Sequence, residues 1–413
     1  MQNKLRQRIL WWRAQDYLKR YHTPLIGVTG STGKTIAKEA VAAVLSAHYR
    51  VRHSPLAYNT RLGIALSIIG ITARQITNHW YKLLTISKAK ELTSFEPDVM
   101  VLELAASHPG DIDYIATHLS FTGAVITNVQ STNLHLFTTK ELIAHELTSL
   151  VVSIPSTGFV ILNSDDPLVS AMQAKSPASV ISYGTSPEST VRLMHARLRG
   201  RIGYACDVNI GGHVYELHLP NIVADYHILP VISALALAYA LKLPLGKAIQ
   251  SIQPLVPPPG HMRLFAGHSR AALLDDSYNA SPESMLDALN VLRQFPAKRK
   301  IAILGDVLDA GVQTIAAHQQ IGETVADITH VFVTVGNNMK HAGAAALHRS
   351  EVNGRQDTCD VHNFSSSRDV GKWLRDFLHP DDVVLIKGSR DMHMEEVVRR
   401  LLNNSADESQ LVL

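Results

Sequence analysis

The chain has 413 residues, of which 46% are hydrophobic and 18% are charged, and lysine plus arginine outnumber aspartate plus glutamate by 39 to 36. This composition excludes a disordered polyelectrolyte and is typical of a globular protein with two or three domains. Because the net charge is only +3, it gives no reason to expect a nucleic-acid partner.

The cysteine pattern and the hydropathy of the chain predict a cytoplasmic protein. Cys206 and Cys359 are its only cysteines, and their surroundings show neither the CxxC nor the Cys/His spacing of a zinc site or disulfide framework. The longest apolar stretch, residues 228–243, contains Pro230 and Lys242 and is shorter than the roughly 20 residues of a transmembrane helix. The N-terminus lacks the apolar core of a signal peptide.

Residues 1–22 are predicted to form a basic amphipathic helix. Arginines and lysines are interspersed there with apolar residues that include Trp11 and Trp12, in a pattern typical of a helix with one apolar face. Two interpretations remain open: the helix lies on a membrane surface, or it packs its apolar face on the following domain.

The next segment, residues 23–256, is predicted to be a central α/β domain with a mostly parallel sheet. Short apolar runs bounded by polar residues predict its strands, and longer apolar patterns predict its helices. Strands are expected at 25–28, 99–102, 123–127 and 158–162, an antiparallel patch within 176–220, and helices at 35–48 and 231–243.

A second, smaller Rossmann-like α/β domain is predicted over residues 257–413. The proline-rich run from Pro254 to Gly260 cannot continue a helix, so we expect a stiff linker there. Strands are expected at 271–274, 301–304, 331–335 and 383–386, and a helix at 282–294.

The turn between the first strand and the first helix of the central domain predicts a phosphate-binding loop. It reads GVTGSTGKT from Gly27 to Thr35. Glycines let backbone N–H groups approach phosphate oxygens, Lys34 neutralises phosphate charge, and the Thr35 hydroxyl can bind Mg²⁺. Val28 stands where the strict motif has its first glycine, so the match is to a variant. The expected ligand is a nucleoside triphosphate; the alternative is a glycine-rich turn that only caps the helix.

Further motifs resemble those of the Mur ligase family. In chain order they are TGSTGKT with Lys38, YNTRLG (58–63), Glu103 in VLELAASHPGDI, Thr127-Asn128, His135, DDSYNASP (275–282), LGDVLDAG (304–311) with His318, and KGSR (387–390). They follow the family's order over nearly the whole chain. Those of the second domain resemble the branch of the family that adds D-alanyl-D-alanine.

The resemblance implies an ATP-dependent amide ligase that extends a peptidoglycan precursor peptide by an amino acid or a dipeptide, such as D-Ala-D-Ala, through an acyl phosphate. It implies ATP and Mg²⁺ as cofactors, and we expect a monomer. The expected catalytic residues are Lys34, Glu103 and His135, and Mg²⁺ is expected on Thr35, Glu103 and His135. The expected ATP contacts are Gly30, Ser31, Thr32, Gly33, Lys34, Thr35, His227, Asp276, Asn279 and Lys387.

Outside the motif context, simpler roles remain open for several of these residues. Glu103 also fits a helix cap or an ion pair, and His135 is one of 21 histidines that could lie in the core or at the surface. Asp276 and Asn279 also fit a turn at a strand end, and Lys387 a solvated lysine.

The chain departs from the family pattern at several positions. Leu147 stands where the family has a lysine that is carbamylated to bridge metal ions, so an anionic ligand is missing unless Glu146 replaces it. Of the family's HNxxN segment only His227 remains, and the family's Gly-Arg reads Gly260-His261. Few residues precede the loop, so we expect the family's N-terminal UDP-binding domain to be absent.

These departures leave a second function open, a degenerate nucleotide-binding pseudoenzyme or partner subunit of the Mur type. A third, a folate-type polyglutamate ligase of the same superfamily, is disfavoured because DSYNASP is typical of the muramoyl branch.

Overall fold

A computed structural model describes residues 2–55, 58–71, 96–130, 134–308, 311, 314–352 and 359–412, without the side chains of 2–6, 134, 135 and 376. The chain divides into two compact units. Unit 1 comprises Met1–Arg197, Ala205–Leu219 and Tyr226–Leu255, and unit 2 comprises Leu198–Tyr204, Pro220–Asp225 and Val256–Leu413. The domain limits proposed from the sequence stay a prediction.

The sheet of unit 1 is built from short apolar strands, most of them parallel. Its described strands are β1 (Leu25–Thr29), β2 (Val51–His53), β3 (Val99–Glu103), β4 (Gly123–Ile126), β5 (Phe159–Asn163), β6 (Ser179–Gly184), β7 (Val191–Leu198), β8 (Tyr204–Ile210) and β9 (His213–Leu219). Their order is β2-β3-β1-β4-β5-β6-β7-β8-β9, and each neighbouring pair from β2 to β7 is parallel. β1, β3 and β4 are buried along their whole length, as parallel strands covered on both faces are. The mostly parallel α/β fold is confirmed.

The antiparallel patch predicted within residues 176–220 is present only in part. β8 and β9 are neighbours joined by Gly211 and Gly212, which have φ angles of 58° and 93°, and a two-residue connection of this kind makes an antiparallel hairpin. The prediction is wrong for β6, which runs parallel to both β5 and β7. The reason is that residues 164–178 include helical turns and form a crossover, which returns the chain in the direction of β5.

Helices surround the sheet of unit 1. The described ones are α1 (Gln2–Tyr21), α2 (Lys34–Ser46), α3 (Arg61–Ile69), α4 (Asp111–His118), α5 (Leu134–Phe137), α6 (Lys140–Ser153), α7 (Pro167–Ser170), α8 (Ile228–Ala240) and α9 (Leu245–Ile252). α1 packs on α3 and places Leu10, Trp11, Ala14 and Tyr17 in the apolar core of the unit, whereas Trp12 is 56% exposed. Among the helices described, none combines the length and apolarity needed to cross a bilayer. Contact of α1 with a membrane surface stays a prediction.

Unit 2 is a second α/β unit with one antiparallel edge strand. Its described strands are β10 (Arg263–Ala266), β11 (Ala272–Asp276), β12 (Lys300–Gly305), β13 (Val331–Val335), β14 (Asp360–Phe364) and β15 (Val383–Lys387), and its helices are α10 (Pro282–Gln294), α11 (Thr314–Ala326), α12 (Met339–Val352), α13 (Ser367–Phe377) and α14 (Glu395–Leu401). The strand order is β10-β11-β15-β12-β13-β14, and only β10 pairs antiparallel, with β11. Asp276 and Lys387 are partners in register at the carboxyl ends of β11 and β15.

Candidate nucleotide-binding site

The Gly-rich turn of unit 1 lies between the buried strand β1 and the first turn of α2, as predicted. Gly30 has a φ of 137° and Gly33 one of 73°, a backbone region that side chains with a Cβ rarely adopt. A Cβ at Gly30 would lie 2.0 Å from Thr127 Oγ1, and one at Gly33 would lie 2.8 Å from Pro230 Cγ of α8. Glycine is therefore required at both positions.

Two polar residues at the end of β4, Thr127 and Asn128, fix the conformation of the loop. The Thr127 hydroxyl donates to the carbonyl of Thr32 at 2.6 Å. The backbone N–H of Thr32 donates to Asn128 Oδ1 at 2.9 Å, and the N–H of Ser31 donates to the Asn128 carbonyl at 2.8 Å. Because β4 pairs with β1 in parallel, its carboxyl end lies beside the loop. These positioning residues belong to a motif that the sequence analysis quoted without assigning them a role.

Lys34 brings positive charge to the loop. Its ammonium group donates to the carbonyls of Gly30 at 2.9 Å and Ser31 at 2.8 Å, so the side chain lies folded over the turn. Burial lowers the pKa of Lys34, and the negative charge of Glu103 opposes that shift. The structure thus brings together the predicted residues from Gly30 to Thr35 in one arrangement.

Glu103, the last residue of β3, is the centre of a buried polar cluster. Its Oε1 accepts hydrogen bonds from Asn59 Nδ2 at 3.0 Å and from the Thr35 hydroxyl at 3.3 Å. Its Oε2 lies 3.4 Å from Nζ of Lys38, and both of these side chains are almost fully buried. The Glu103 backbone N–H donates to Ser54 Oγ at 3.0 Å. Lys38, Asn59 and Ser54 therefore hold the carboxylate beside the start of α2.

The donor atoms of this cluster fit a hard divalent cation. Thr35 Oγ1 and Glu103 Oε1 are adjacent oxygens, and Glu103 Oε2 is buried without a hydrogen bond to any described residue; Mg²⁺ prefers oxygen ligands of these kinds. The side chain of His135, the third expected ligand, lies outside the described residues. Within the described part of the chain, no three His, Cys, Asp or Glu side chains cluster as a ready metal site.

His227 is buried at the N-terminal end of α8, with its ring edge on to Tyr226 at 4.7 Å between centroids. The first turn of the same helix places Pro230 against Gly33 of the loop. The structure therefore brings the helix that begins after His227 next to the predicted phosphate site.

Glu146 and Leu147 have structural roles in unit 1, and neither is available as a metal ligand. Leu147 is wholly buried in the apolar core. Glu146 accepts hydrogen bonds from the backbone N–H groups of Gly110 at 2.8 Å, Ile112 at 2.6 Å and Asp113 at 3.4 Å. Both of its oxygens are thus occupied at the N-terminus of α4, where a carboxylate is favourable. The substitution of Glu146 for a carbamylated lysine is therefore not supported.

In unit 2, three predicted residues form a second cluster. Lys387 Nζ donates to Asp276 Oδ2 at 2.7 Å and to the carbonyl of Asn279 at 2.9 Å, and Asn279 Oδ1 accepts from the Arg390 N–H at 3.3 Å. Lys387 is buried and ion-paired rather than solvated. Beside it, burial raises the pKa of Asp275 to about 6, although Ser277 opposes the shift.

The described part of the LGDVLDAG segment, residues 304–308, is held by hydrogen bonds to α11 and α12. His318 is wholly buried; its Nε2 accepts from the Val307 N–H at 3.2 Å, and its Nδ1 lies 2.6 Å from the carbonyl of Thr314. Asp306 accepts from the N–H of Met339 at 2.7 Å and caps α12. These contacts position residues 306–307, directly after β12.

Comparison with known proteins identifies two family domains in the chain. The Mur ligase middle domain matches residues 28–237, and the Mur ligase, glutamate ligase domain matches residues 262–390. The UDP-N-acetylmuramoyl-tripeptide--D-alanyl-D-alanine ligase of Bacillus subtilis (strain 168) is 24% identical over 394 residues, 95% of this chain and 78% of that protein.

Two solved structures share the fold. MurF from Acinetobacter baumannii superposes with a TM-score of 0.79 over 96% of this chain and 80% of that chain, at 21% identity. MurF ligase from Thermotoga maritima in complex with ADP superposes with a TM-score of 0.78 over 97% of this chain and 84% of that chain, also at 21% identity. With a family match over more than half of its residues, from the phosphate loop into α8, the chain belongs to the Mur ligase family.

Proposed function

We propose that the chain is an ATP-dependent ligase that joins D-alanyl-D-alanine to a UDP-N-acetylmuramoyl tripeptide, the reaction for which its Bacillus subtilis relative is named. The observation that carries this proposal is the loop of residues 30–35, with the Lys34 ammonium group folded over it and Glu103 beside Thr35. A glycine-rich loop at a helix start with a lysine beside it supports the binding of a nucleoside triphosphate.

The reaction has two steps, and both require neutralisation of negative charge. A carboxylate oxygen of the acyl substrate attacks the γ-phosphorus of ATP, and the bond to the bridging oxygen of the β-phosphate breaks to give an acyl phosphate and ADP. The amine nitrogen then attacks the acyl carbon, and inorganic phosphate leaves while the amine loses a proton. Because anions approach each other in the first step, positive charge and N–H donors must be fixed around the phosphates beforehand.

The start of α2 supplies such groups. The N–H groups of the first helical turn have no partner within the helix, and with the positive end of the helix dipole they favour phosphate oxygens. Lys34 adds a full positive charge at the same end of the helix. Thr127 and Asn128 hold the loop in place before ATP arrives, so little reorganisation is needed.

We propose that Thr35 and Glu103 hold Mg²⁺, with His135 as the further ligand implied by the family motif. Bound Mg²⁺ would neutralise charge on the phosphate oxygens. Lys38 and Asn59 keep the Glu103 carboxylate oriented toward Thr35.

The remaining assignments rest on the family motifs. We propose that His227, Asp276, Asn279 and Lys387 contact the nucleotide. The cytoplasmic location and the monomeric state stay predictions.

The test is a coupled assay of the purified chain with ATP, Mg²⁺, UDP-N-acetylmuramoyl tripeptide and D-Ala-D-Ala. We expect one phosphate released for each amide formed. Mass spectrometry should show a product that is heavier than the UDP-N-acetylmuramoyl tripeptide by two alanine residues. Lys34→Ala is expected to lower the rate by a factor of about 10² or more, the usual effect of losing one preorganised charge stabiliser. Lys175→Ala, which removes an exposed lysine of the same unit, is the matched control and should leave the rate unchanged.

Measuring ATP binding and amide formation in parallel distinguishes the ligase from the nucleotide-binding pseudoenzyme. An active ligase forms the amide, whereas a nucleotide-binding pseudoenzyme binds ATP without forming it. Absence of amide product with every stem peptide and amine tested would refute the proposal, even if ATP binds.

A further inference from the structure

A basic groove lies in unit 2 between α13, α14 and the segment that follows α14. Its volume is about 720 Å³, within the range of roughly 300–1,000 Å³ typical of small-molecule sites. The positive side chains that line it are Lys372 and Arg375 from α13 and Arg399 and Arg400 from α14.

The two acidic residues of the groove neutralise only part of this positive charge. Glu396 Oε1 accepts from Arg399 Nη1 at 2.6 Å, and Glu408 Oε2 lies 3.8 Å from Arg399 Nε. One arginine therefore uses both carboxylates. The side chains of Lys372, Arg375 and Arg400 make neither a hydrogen bond nor an ion pair with any side chain or backbone group that the structure describes. Four cations and two carboxylates therefore line the groove, and among the residues that the structure describes the side chains of Lys372, Arg375 and Arg400 have no ion-pair partner.

Gly371 determines where Arg400 lies. A Cβ at position 371 would stand 2.5 Å from Arg400 Cδ and 2.9 Å from its Cβ, so the arginine chain crosses α13 directly over the glycine. Basic residues in the last turn of a helix also interact favourably with the helix dipole. The dipole effect acts within each helix, so it does not explain why the basic side chains of α13 and α14 line the same groove.

The groove is remote from the nucleotide-contact residues proposed in the same unit. Asp276 and Lys387 end β11 and β15, at the carboxyl edge of the sheet. Asn403, which lines the groove, donates its N–H to the carbonyl of Ala266 at 3.1 Å, and Ala266 pairs with Ala272, the first residue of β11. The groove therefore lies at the amino edge of the sheet.

We propose that this groove is an accessory binding site for a phosphate-bearing anion. Guanidinium groups bind phosphate oxygens in pairs of parallel hydrogen bonds. Arg375 and Arg400 are the two arginines of the groove whose side chains have no hydrogen-bond or ion-pair partner in the described part of the chain. The concave shape favours a compact group such as a diphosphate over an extended polyanion. The site is independent of the ligase reaction proposed above.

The test uses the full chain carrying Lys34→Ala, so that the phosphate loop contributes little to anion binding. Inorganic diphosphate is titrated without metal at an ionic strength of about 0.15 M, where charges more than about 8 Å away are largely screened. Saturable binding at one site is expected by isothermal titration calorimetry. Arg375→Ala/Arg400→Ala on this background should weaken binding by about 100-fold, since each charged hydrogen-bonding group contributes about tenfold. Gly371→Ala keeps every charge but displaces Arg400, and it should weaken binding about tenfold.

The matched control is Lys340→Ala/Arg349→Ala, which removes two positive charges from α12 of the same unit. It should change the affinity by no more than about twofold, because distant exposed charges are screened by salt. Thermal melting followed by circular dichroism establishes that each variant is folded.

Vesicles separate the two sources of phosphate. Co-sedimentation with phosphatidylglycerol vesicles but not phosphatidylcholine vesicles, abolished by Arg375→Ala/Arg400→Ala, would identify a lipid headgroup. Diphosphate binding without vesicle binding would identify a soluble ligand. Failure of both probes to bind, or equal losses in the groove pair and the control pair, would overturn the proposal. Because no step involves ATP turnover, this outcome is distinct from failure of the proposed ligase function.

Discussion

Asp275 makes the stability of unit 2 depend on pH through a single buried carboxyl group. It is wholly buried at β11, and burial raises its pKa from 3.8 to about 6 although Ser277 donates hydrogen bonds to it. A pKa above the unfolded value means that the folded chain binds more protons between about pH 4 and pH 6. The free energy of unfolding therefore falls as the pH rises through this range, by about 3 kcal/mol at most.

Asp275→Asn is expected to remove this dependence, because the amide still accepts from Ser277 but does not ionise. In urea unfolding between pH 4 and pH 7, the stability of the variant relative to the native chain should rise with pH and level off above the folded pKa. Asp381→Asn, an exposed aspartate at positive φ, is the control and should show no such trend. If the difference in free energy of unfolding between Asp275→Asn and the native chain stays constant with pH, the raised pKa of Asp275 is contradicted.

The residues that the sequence predicts best are those whose roles are local. The loop from Gly30 to Thr35 could be predicted because its glycines, lysine and threonine act within one turn and one helix start. The role of Glu146 could not, because its partners at Gly110 and Ile112 lie more than 30 positions earlier and become neighbours only when α4 packs on α6. Asn59 and Ser54 are likewise brought to Glu103 by the sheet.

At the scale of the element, α6 has one face in the core and one in solvent. A lysine on the core face should lower the free energy of unfolding, whereas a lysine on the solvent face should leave it nearly unchanged. Leu147 is wholly buried, whereas Leu142 is 51% exposed. Leu147→Lys places an unpaired charge in the core and should lower the free energy of unfolding by about 3 kcal/mol or more. Leu142→Lys should change it by no more than about 0.5 kcal/mol, as measured by chemical denaturation.

This prediction also bears on the metal site. If Leu147 occupied the place of the family's carbamylated lysine beside the metal site, Leu147→Lys would raise the turnover of the ligase. The buried position in α6 instead predicts no gain in turnover. A Leu147→Lys variant that is as stable as the native chain and turns over faster would contradict this prediction.

Elements with a strong apolar pattern could be predicted, and short or exposed ones could not. β13 and α10 have the predicted bounds, Val331–Val335 and Pro282–Gln294. β13 is a continuous buried run, and the start of α10 is capped by Ser281. The edge strands β10 and β14 were not predicted. β10 has four residues, and β14 is partly exposed along its whole length, so neither shows a clear apolar signal.

At the scale of the whole molecule, the division into two α/β units follows from the pattern of the chain. Strand and helix signals alternate on both sides of the proline-rich run, and each set of strands forms its own sheet. Two short segments that interrupt unit 1 along the chain, Leu198–Tyr204 and Pro220–Asp225, belong to unit 2. This could not be predicted, because it depends on contacts between residues far apart in sequence.

Each unit has its own apolar core, so calorimetry of the full chain should resolve two unfolding transitions. Val333→Ala, in the core strand β13, should lower only the transition of unit 2. A non-hydrolysable ATP analogue with Mg²⁺ at 100 times its Kd should stabilise the chain by about 2.7 kcal/mol. The transition of unit 1 should rise because the phosphate loop exists only in folded unit 1, and the proposed contacts with Asp276, Asn279 and Lys387 should raise the transition of unit 2 as well. Lys34→Ala should abolish that shift, while Lys175→Ala should preserve it. A single transition would contradict independent unfolding of the two units, and a nucleotide shift that survives in Lys34→Ala would contradict the assignment of the loop.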